Sequence, residues 1–370
     1  METKSRIIAM YLPQFHPIPE NDAVWGKGFT EWTNVAKAKP LFKGHNQPHI
    51  PADLGFYDLR LPETRIQQAQ LAKEAGVEGF MYWHYWFGNG RRLLERPFNE
   101  VLESGKPDFP FCLGWANHTW KTSSWITGKE FVGDKLIMEQ LYPGEKDWEL
   151  HFNTLLPAFK DKRYIQVDGK PLFVIYSPPD VPEIVKFMEC WNHLSQDNGL
   201  KGIFFVGLYW GKEIDVIKWE QYNLDAISIC NVRDAEVSVK GRYKRALYGK
   251  IRKVFLDHIV ERYDYAELIK HLVAQSCSKD NYFPCIMPGW DRTPRSKMAE
   301  VWVNNTPELF QKHVADAINI VQGKDYDKRV IFLRSWNEWG EGNYVEPDLQ
   351  YGHGYLKALA SANFCKKDIQ

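Results

Sequence analysis

Two glutamates three positions apart, Glu338 and Glu341, stand in the segment Ser335-Trp-Asn-Glu-Trp-Gly-Glu-Gly342. Glycosidic chemistry needs one group to deliver a proton to the leaving oxygen. It needs a second to supply or generate a nucleophile against an oxocarbenium-like transition state. Neighbouring indole rings exclude water and raise the pKa of one carboxyl, as an acid role requires. Acidic residues in the first turn of a helix also gain from its dipole, but Trp-Asn-Glu-Trp is a poor start for a solvated helix. The segment therefore reads as a catalytic pair.

Elsewhere, aromatic residues repeatedly stand beside hydrogen-bonding ones. The sets are Tyr11, Gln14 and His16; Tyr82 to Trp86 with His84 and Tyr85; Trp115, Asn117, His118 and Trp120; Tyr176; Tyr209-Trp210; Asn231 and Arg233; Trp290-Asp291-Arg292; and Trp336-Asn337 beside the glutamates. A flat ring packs on the C–H face of a sugar while its rim leaves hydroxyls free to bond, so the pattern points to a polyhydroxylated ligand. The block Gly26-Lys-Gly-Phe-Thr-Glu-Trp32 adds Glu31 and Trp32, which either contact substrate or orient other loop residues.

These residues need a scaffold that brings them to one place. Eight short apolar runs supply it: Arg6 to Leu12, Val77 to Tyr85, Phe109 to Trp115, Pro171 to Ser177, Gly202 to Leu208, Leu224 to Cys230, Tyr282 to Pro288 and Arg329 to Ser335. Helix-like segments follow them, among them 63–75, 182–196, 265–275, 307–321 and 354–364. Near-continuous apolar strands alternating with helices predict an α/β fold, a single (β/α)8 TIM barrel over residues 1–370 with long βα loops at its C-terminal mouth. The aromatic and polar sets all fall at strand C-terminal ends, where such barrels place their sites. No GxGxxG follows any strand, which disfavours a dinucleotide fold.

Composition agrees. Lys plus Arg and Asp plus Glu both number 47, so no global field steers the chain toward nucleic acid. Fifteen Trp, 18 Tyr and 21 Phe suit an aromatic cleft. The six cysteines show no CxxC or zinc spacing and read as free thiols. The N-terminus passes into a strand without an apolar signal core, and no apolar run nears the ~18 residues of a membrane span, so a cytoplasmic location is expected. No cofactor or metal is expected. Asp325-Tyr-Asp327 precedes the eighth strand, at the wrong end of the barrel, and His16, His84 and His118 lack metal-ligand spacing. The basic stretch 240–253 is either a solvated face, a clamp for the diphosphate of a nucleotide-sugar or lipid-linked glycan, or a peripheral contact with an anionic membrane.

The opening Tyr11-Leu-Pro-Gln-Phe-His-Pro-Ile-Pro-Glu-Asn21, the block Trp25 to Trp32 and the closing Trp336-Asn-Glu-Trp-Gly-Glu-Gly342 with Glu346-Pro347 resemble the WbsX-type family. Its members are labelled glycosyltransferases or lipopolysaccharide-biosynthesis proteins. They are similar to glycoside hydrolase family 99, the endo-α-mannosidases and endo-α-mannanases. The resemblance implies a retaining reaction in which the sugar's own 2-hydroxyl attacks C1 to give a 1,2-anhydro sugar. By position Glu338 would take the 2-hydroxyl proton, and Glu341 would protonate the leaving group and then activate the acceptor. Glu346 joins the expected substrate contacts. Assembly of a surface polysaccharide is the expected role, with an endo-acting α-mannoside hydrolase and an inactive carbohydrate-binding protein as alternatives.

Overall fold

A computed structural model describes residues 2–122, 135–241, 260–295 and 300–365. Eight parallel strands form its centre: β1 (Arg6–Tyr11), β2 (Val77–Trp86), β3 (Phe111–Trp115), β4 (Lys170–Ile175), β5 (Phe204–Tyr209), β6 (Ala226–Ile229), β7 (Tyr282–Ile286) and β8 (Val330–Leu333). Each pairs with its sequence neighbours, and β8 returns to pair with β1, with Ile7 opposite Ile331 and Ile8 opposite Phe332, so the sheet closes on itself. Nearly every strand residue is buried, since one side of the strand fills the barrel and the other meets the helices. Burial of each such Ile, Leu, Val or Phe stabilises the fold by roughly 1.5–3 kcal/mol. One apolar cluster runs from Ile7 to Ala362.

The strands lie within a few residues of the sequence expectation. The third starts at Phe111 rather than Phe109, because Pro110 has no N–H to give a ladder. Outer helices among the described residues include α3 (Pro62–Glu74), α4 (Arg96–Ser104), α5 (Glu145–Phe159), α6 (Ile184–Asp197), α7 (Val232–Lys240), α8 (Tyr265–Leu272), α9 (Pro307–Val321) and α10 (Gly354–Asn363). The physics of α9 is typical. The Thr306 side chain accepts from the Leu309 N–H, Pro307 occupies the first turn where no N–H is needed, and Phe310, Val314, Ala317, Ile318 and Val321 form one buried stripe. Between β5 and β6 the connection is a 3-10 segment, Glu213–Tyr222, in place of an α-helix. The long first loop folds into α1 (Pro19–Trp25) and α2 (Glu31–Lys37), which sit over the mouth.

At the opposite end of the barrel Arg6 pairs with Glu78 at 2.7 Å and Asp327 at 2.5 Å. The other Asp327 oxygen accepts from the Asp168 N–H, so this member of the Asp-x-Asp sequence serves the barrel floor.

Candidate active site

The chain leaves β8 through Arg334, Ser335 and Trp336 and folds into a small hairpin. Asn337–Glu338 pairs antiparallel with Asn343–Tyr344, a 3-10 turn at Trp339–Glu341 forms the apex, and Gly342 closes it at φ +56°. The Asn337 amide mimics a strand partner. It accepts from the Leu12 N–H at 2.8 Å and donates to the Leu12 carbonyl at 3.1 Å, tying the hairpin to the end of β1. Trp339 stacks on Tyr344 at 3.7 Å between centroids, and its indole N–H donates to Glu346 at 2.6 Å. Glu346 also accepts from the Tyr57 hydroxyl at 2.8 Å and Gln68 at 2.6 Å. Burial pushes the Glu346 carboxyl up to about 7 in spite of these donors.

Both glutamates of the pair meet one guanidinium. Arg295 donates to Glu338 at 2.6 Å, to Glu341 at 2.9 Å and to Glu31 at 3.1 Å through Nε, with Nη2 2.8 Å from the same Glu31 oxygen. A Cβ on Gly340 would collide with the Glu31 carboxylate and the Arg295 guanidinium, so only glycine admits this convergence. The two glutamates nonetheless differ. Burial raises the Glu338 carboxyl to about 7, with Glu341 and Glu31 adding to the rise against the pull of Arg295. Burial works upward on Glu341 too, but Arg295, Arg292 and Arg334 outweigh it and hold Glu341 below the ordinary carboxylate range. Arg292 lies 3.2 Å and Arg334 3.6 Å from Glu341, and the Arg334 guanidinium is sandwiched between Trp210 and Trp290 at 4.3 and 4.6 Å from the ring centroids. Glu341 is an anion in a cationic cradle, and Glu338 is poised to change charge near neutrality.

This group forms the floor of a cleft of about 990 Å³ at the C-terminal mouth. Of the residues expected to touch substrate, Gln14, Tyr85, Trp120, Tyr176, Trp290 and Arg292 line it with Glu338 and Glu341. The Gln14 Nε2 is buried without a partner among the described residues.

The structure places the other expected contacts away from the cleft lining. Side chains alternate along a strand, so Tyr85 and Trp83 face the cleft while Tyr82 and His84 face the helices. Tyr82 packs on Tyr11 and Phe98, and His84 shares a proton-bearing contact of 2.9 Å with His151. Burial lowers the pKa of His84 to about 3 and depresses that of His151 as well. Tyr11 donates to Gln68, Trp115 donates to the Trp86 carbonyl, and Trp336 is wholly buried in the core. Asn117 brackets Ser177, accepting from its N–H and donating to its carbonyl. Trp32 donates to the Tyr57 carbonyl and packs against Phe15 and Trp339. Glu31 is fully buried and reaches Arg295, Asn337 braces the hairpin and Glu346 supports it from behind. Asp291 accepts from His45, Gln47 and Thr293 and lies behind the cleft wall. These residues shape the site without lining it.

Conversely, Arg295 and Arg334 are central to the site and were not singled out in the sequence. Arg334 directly follows β8 and was legible as a mouth residue; Arg295 sits in an irregular loop that carries no periodic signal. The cleft wall also includes Trp83, His118, Trp210, Lys212 and Arg233. Of the basic stretch 240–253, positions 242–253 lie outside the described residues.

The closed (β/α)8 barrel thus carries two unlike carboxyl groups on the floor of an aromatic cleft. Residues 7–359 match the family described as glycosyltransferase WbsX, and the chain belongs to that family. It is 33% identical over 359 residues to WxcX, an uncharacterised protein of Xanthomonas campestris pv. campestris, in strains B100 and ATCC 33913. That match covers 96% of this chain and 49% of WxcX, so the chain spans about half the length of these relatives. In fold it is similar to the GH99 endo-alpha-mannosidase from Bacteroides thetaiotaomicron, with a TM-score of 0.58 and 16% identity over 98% of this chain and 97% of that one. A glycoside hydrolase-like protein gives a TM-score of 0.60 at 15% identity, over 98% and 94% of the two chains. No helix among the described residues is long and apolar enough to cross a membrane.

Proposed function

We propose that this protein is a retaining glycosyltransferase of surface-polysaccharide assembly, using a donor whose leaving group is a diphosphate. The observation that carries this reading is the set of three guanidinium groups, Arg292, Arg295 and Arg334, gathered around Glu341, whose carboxyl they hold below the ordinary carboxylate range. An alcohol leaving group needs a proton, which a glutamate held ionised is ill placed to give. A diphosphate leaves as an anion and needs positive charge instead, the form of stabilisation that preorganised arginines supply.

In the proposed first step Glu338 takes the proton of the sugar's 2-hydroxyl, O2 attacks C1, and the bond from C1 to the diphosphate breaks. The departing phosphates are met by the arginines. In the second step Glu341 takes the proton of an acceptor hydroxyl, whose oxygen attacks C1. The C1–O2 bond of the 1,2-anhydro sugar opens, and O2 recovers its proton from Glu338. Two displacements at C1 retain its configuration. A donor whose O2 lies trans to the leaving group, such as α-mannose, meets the geometric demand of the first step. Nucleotide-sugar and lipid-linked donors both carry the required diphosphate, and a cytoplasmic site of action fits either.

Incubation with a mannosyl nucleoside diphosphate plus a mannoside acceptor should give a disaccharide. Release of reducing ends from α-mannosides in water, with no donor present, would instead establish the endo-hydrolase. Turnover abolished by Glu341→Gln would exclude a protein that only binds sugar.

A further inference from the structure

The cleft is lined unevenly around the barrel. The mouths of β1 to β4 supply Gln14, Trp83, Tyr85, His118, Trp120 and Tyr176, and among the described residues no charged side chain comes from that half. Burial lowers the pKa of His118, against the pull of Asp180, so its ring is uncharged at neutral pH. Each of β5 to β8, by contrast, contributes a cation: Lys212 after β5, Arg233 after β6, Arg292 and Arg295 after β7, and Arg334 after β8. Glu236 and Glu300 line this second half too, and neither is free of partners.

The five cations are not equally engaged. Arg295 is shared among Glu31, Glu338 and Glu341, and Arg292 and Arg334 lie against Glu341. The side chains of Lys212 and Arg233 make no hydrogen bond or ion pair among the described residues. They stand near one another, since both add to the lowering of the Asp215 pKa, whose chief cause is the bond from Lys218 at 2.7 Å. Positive charge that no acid engages is the part of a wall open to an anion, and phosphate oxygens accept charge-assisted bonds from lysine and arginine. The neutral half has the opposite preference. Trp83 meets Tyr176 edge-on at 5.9 Å, His118 lies 5.2 Å from Tyr176, and Tyr85 packs edge-on to Trp120 at 4.9 Å. Such a wall suits the C–H face of a sugar, and a charged group placed against it would lose hydration with no counter-charge in return.

The catalytic pair sits at the seam between the halves, because β8 pairs with both β7 and β1. Glu341 faces the cations through Arg292 and Arg334. Glu338 stands near enough to Tyr85 of β2 to add to the rise that burial gives the pKa of that phenol. In the two-step reaction the base at the 2-hydroxyl stays with the sugar, and the leaving group departs on the Glu341 side.

We propose that the cleft is divided along this seam: the transferred sugar, uncharged, lies against the β1–β4 half, and the diphosphate lies along the β5–β8 half, with Lys212 and Arg233 on the phosphate remote from the sugar. The division rests on the transferase reading of the site. It adds a donor class, a neutral sugar on a diphosphate, and two residues that select it.

The test measures binding to the whole protein by calorimetry. Inorganic pyrophosphate is the anion probe, and the methyl α-glycosides of D-mannose, D-glucose and D-galactose, with their matching uronates, are the sugar probes. Pyrophosphate should bind the wild-type protein, and Lys212→Met combined with Arg233→Met should weaken it about tenfold, as loss of charge-assisted bonds entails. At least one neutral glycoside should bind with the same affinity in that double variant and at saturating pyrophosphate. Trp83→Leu should weaken the glycoside and leave pyrophosphate unaffected. Wild-type protein that binds no pyrophosphate would overturn the transferase reading and the division with it. Pyrophosphate held equally by the wild type and the double variant would overturn the division alone, as would competition between pyrophosphate and the neutral glycoside or failure of every neutral glycoside to bind. A uronate that binds alongside saturating pyrophosphate as tightly as its neutral counterpart would overturn the uncharged sugar. Should Trp83→Leu fail to fold, a wild-type crystal soaked with pyrophosphate and the glycoside decides the matter. Anion density beside Lys212 and Arg233 and sugar density beside Trp83 are then expected, and the reverse placement refutes the division.

Discussion

The Nη2 of Arg295 lies 2.6 Å from Oε1 of Glu338, a buried charge-assisted bond to a carboxyl that burial nevertheless raises to about 7. The same guanidinium binds Glu341 and Glu31. The site is thus organised by one cation shared among three acids, and the unequal surroundings of Glu338 and Glu341 give the pair two chemical characters.

The first consequence is a pH dependence. In its proposed role of base, Glu338 must be ionised, and its folded-state pKa of about 7 puts that ionisation within the working range. We expect kcat/KM to rise with pH through about 7 and then level, with Glu338 setting the limb. A fall above 7 would mean that Glu338 acts as the acid. The same shift makes a stability statement. A carboxyl whose folded pKa is raised contributes stability below its unfolded value of about 4.5, and that contribution is lost as pH rises through about 7.

Removing Arg295 should expose how much charge it balances. Arg295→Met leaves three buried carboxyl groups without their shared cation, and breaking a buried pair on one side costs roughly 3–5 kcal/mol. Urea denaturation should show a deficit of that order at pH 8. The deficit should shrink toward pH 5, where the carboxyl groups take up protons; a deficit independent of pH would argue against this origin.

Glu346 supports the hairpin without lining the cleft. In Glu346→Leu the donors on Tyr57, Gln68 and Trp339 lose their acceptor, at roughly 1–3 kcal/mol for each one left buried and unpaired. A fall in Tm is the expected result. An unchanged Tm would show that the neighbours find other acceptors.

Gly340→Ala is a steric test of the convergence. The added methyl meets the Glu31 carboxylate and the Arg295 guanidinium, and overpacking of this kind typically costs about 1–3 kcal/mol. The proposed transferase activity should fall with stability, and a variant crystal structure should show Arg295 displaced. Retention of the Arg295 contacts with full activity would show that the hairpin yields easily.

Much of this was readable from residue order. Each barrel strand is a continuous apolar run, because both of its faces are covered, and such runs declare themselves. Glu338 and Glu341 stood out because their aromatic and glycine neighbours fit no ordinary helix start. Two things were hidden. The alternation that sends Tyr85 to the cleft sends Tyr82 and His84 to the helices, so a dense aromatic strand could not supply all of its rings to one site. Arg295 was invisible for another reason. Its place depends on a turn held by Asp291 and Thr293 and on the approach of Glu31 from the first loop, contacts between segments far apart in the chain.

The most direct test of the central claim is the anomeric configuration of the product, followed by NMR during reaction of an α-mannosyl nucleoside diphosphate with a mannoside acceptor. We expect an α-linked product from the wild-type protein and a rate lowered on the order of 10²–10⁴-fold in Glu338→Gln, as loss of a positioned base entails. A β-linked product, or a Glu338→Gln variant as fast as wild type, would contradict the account.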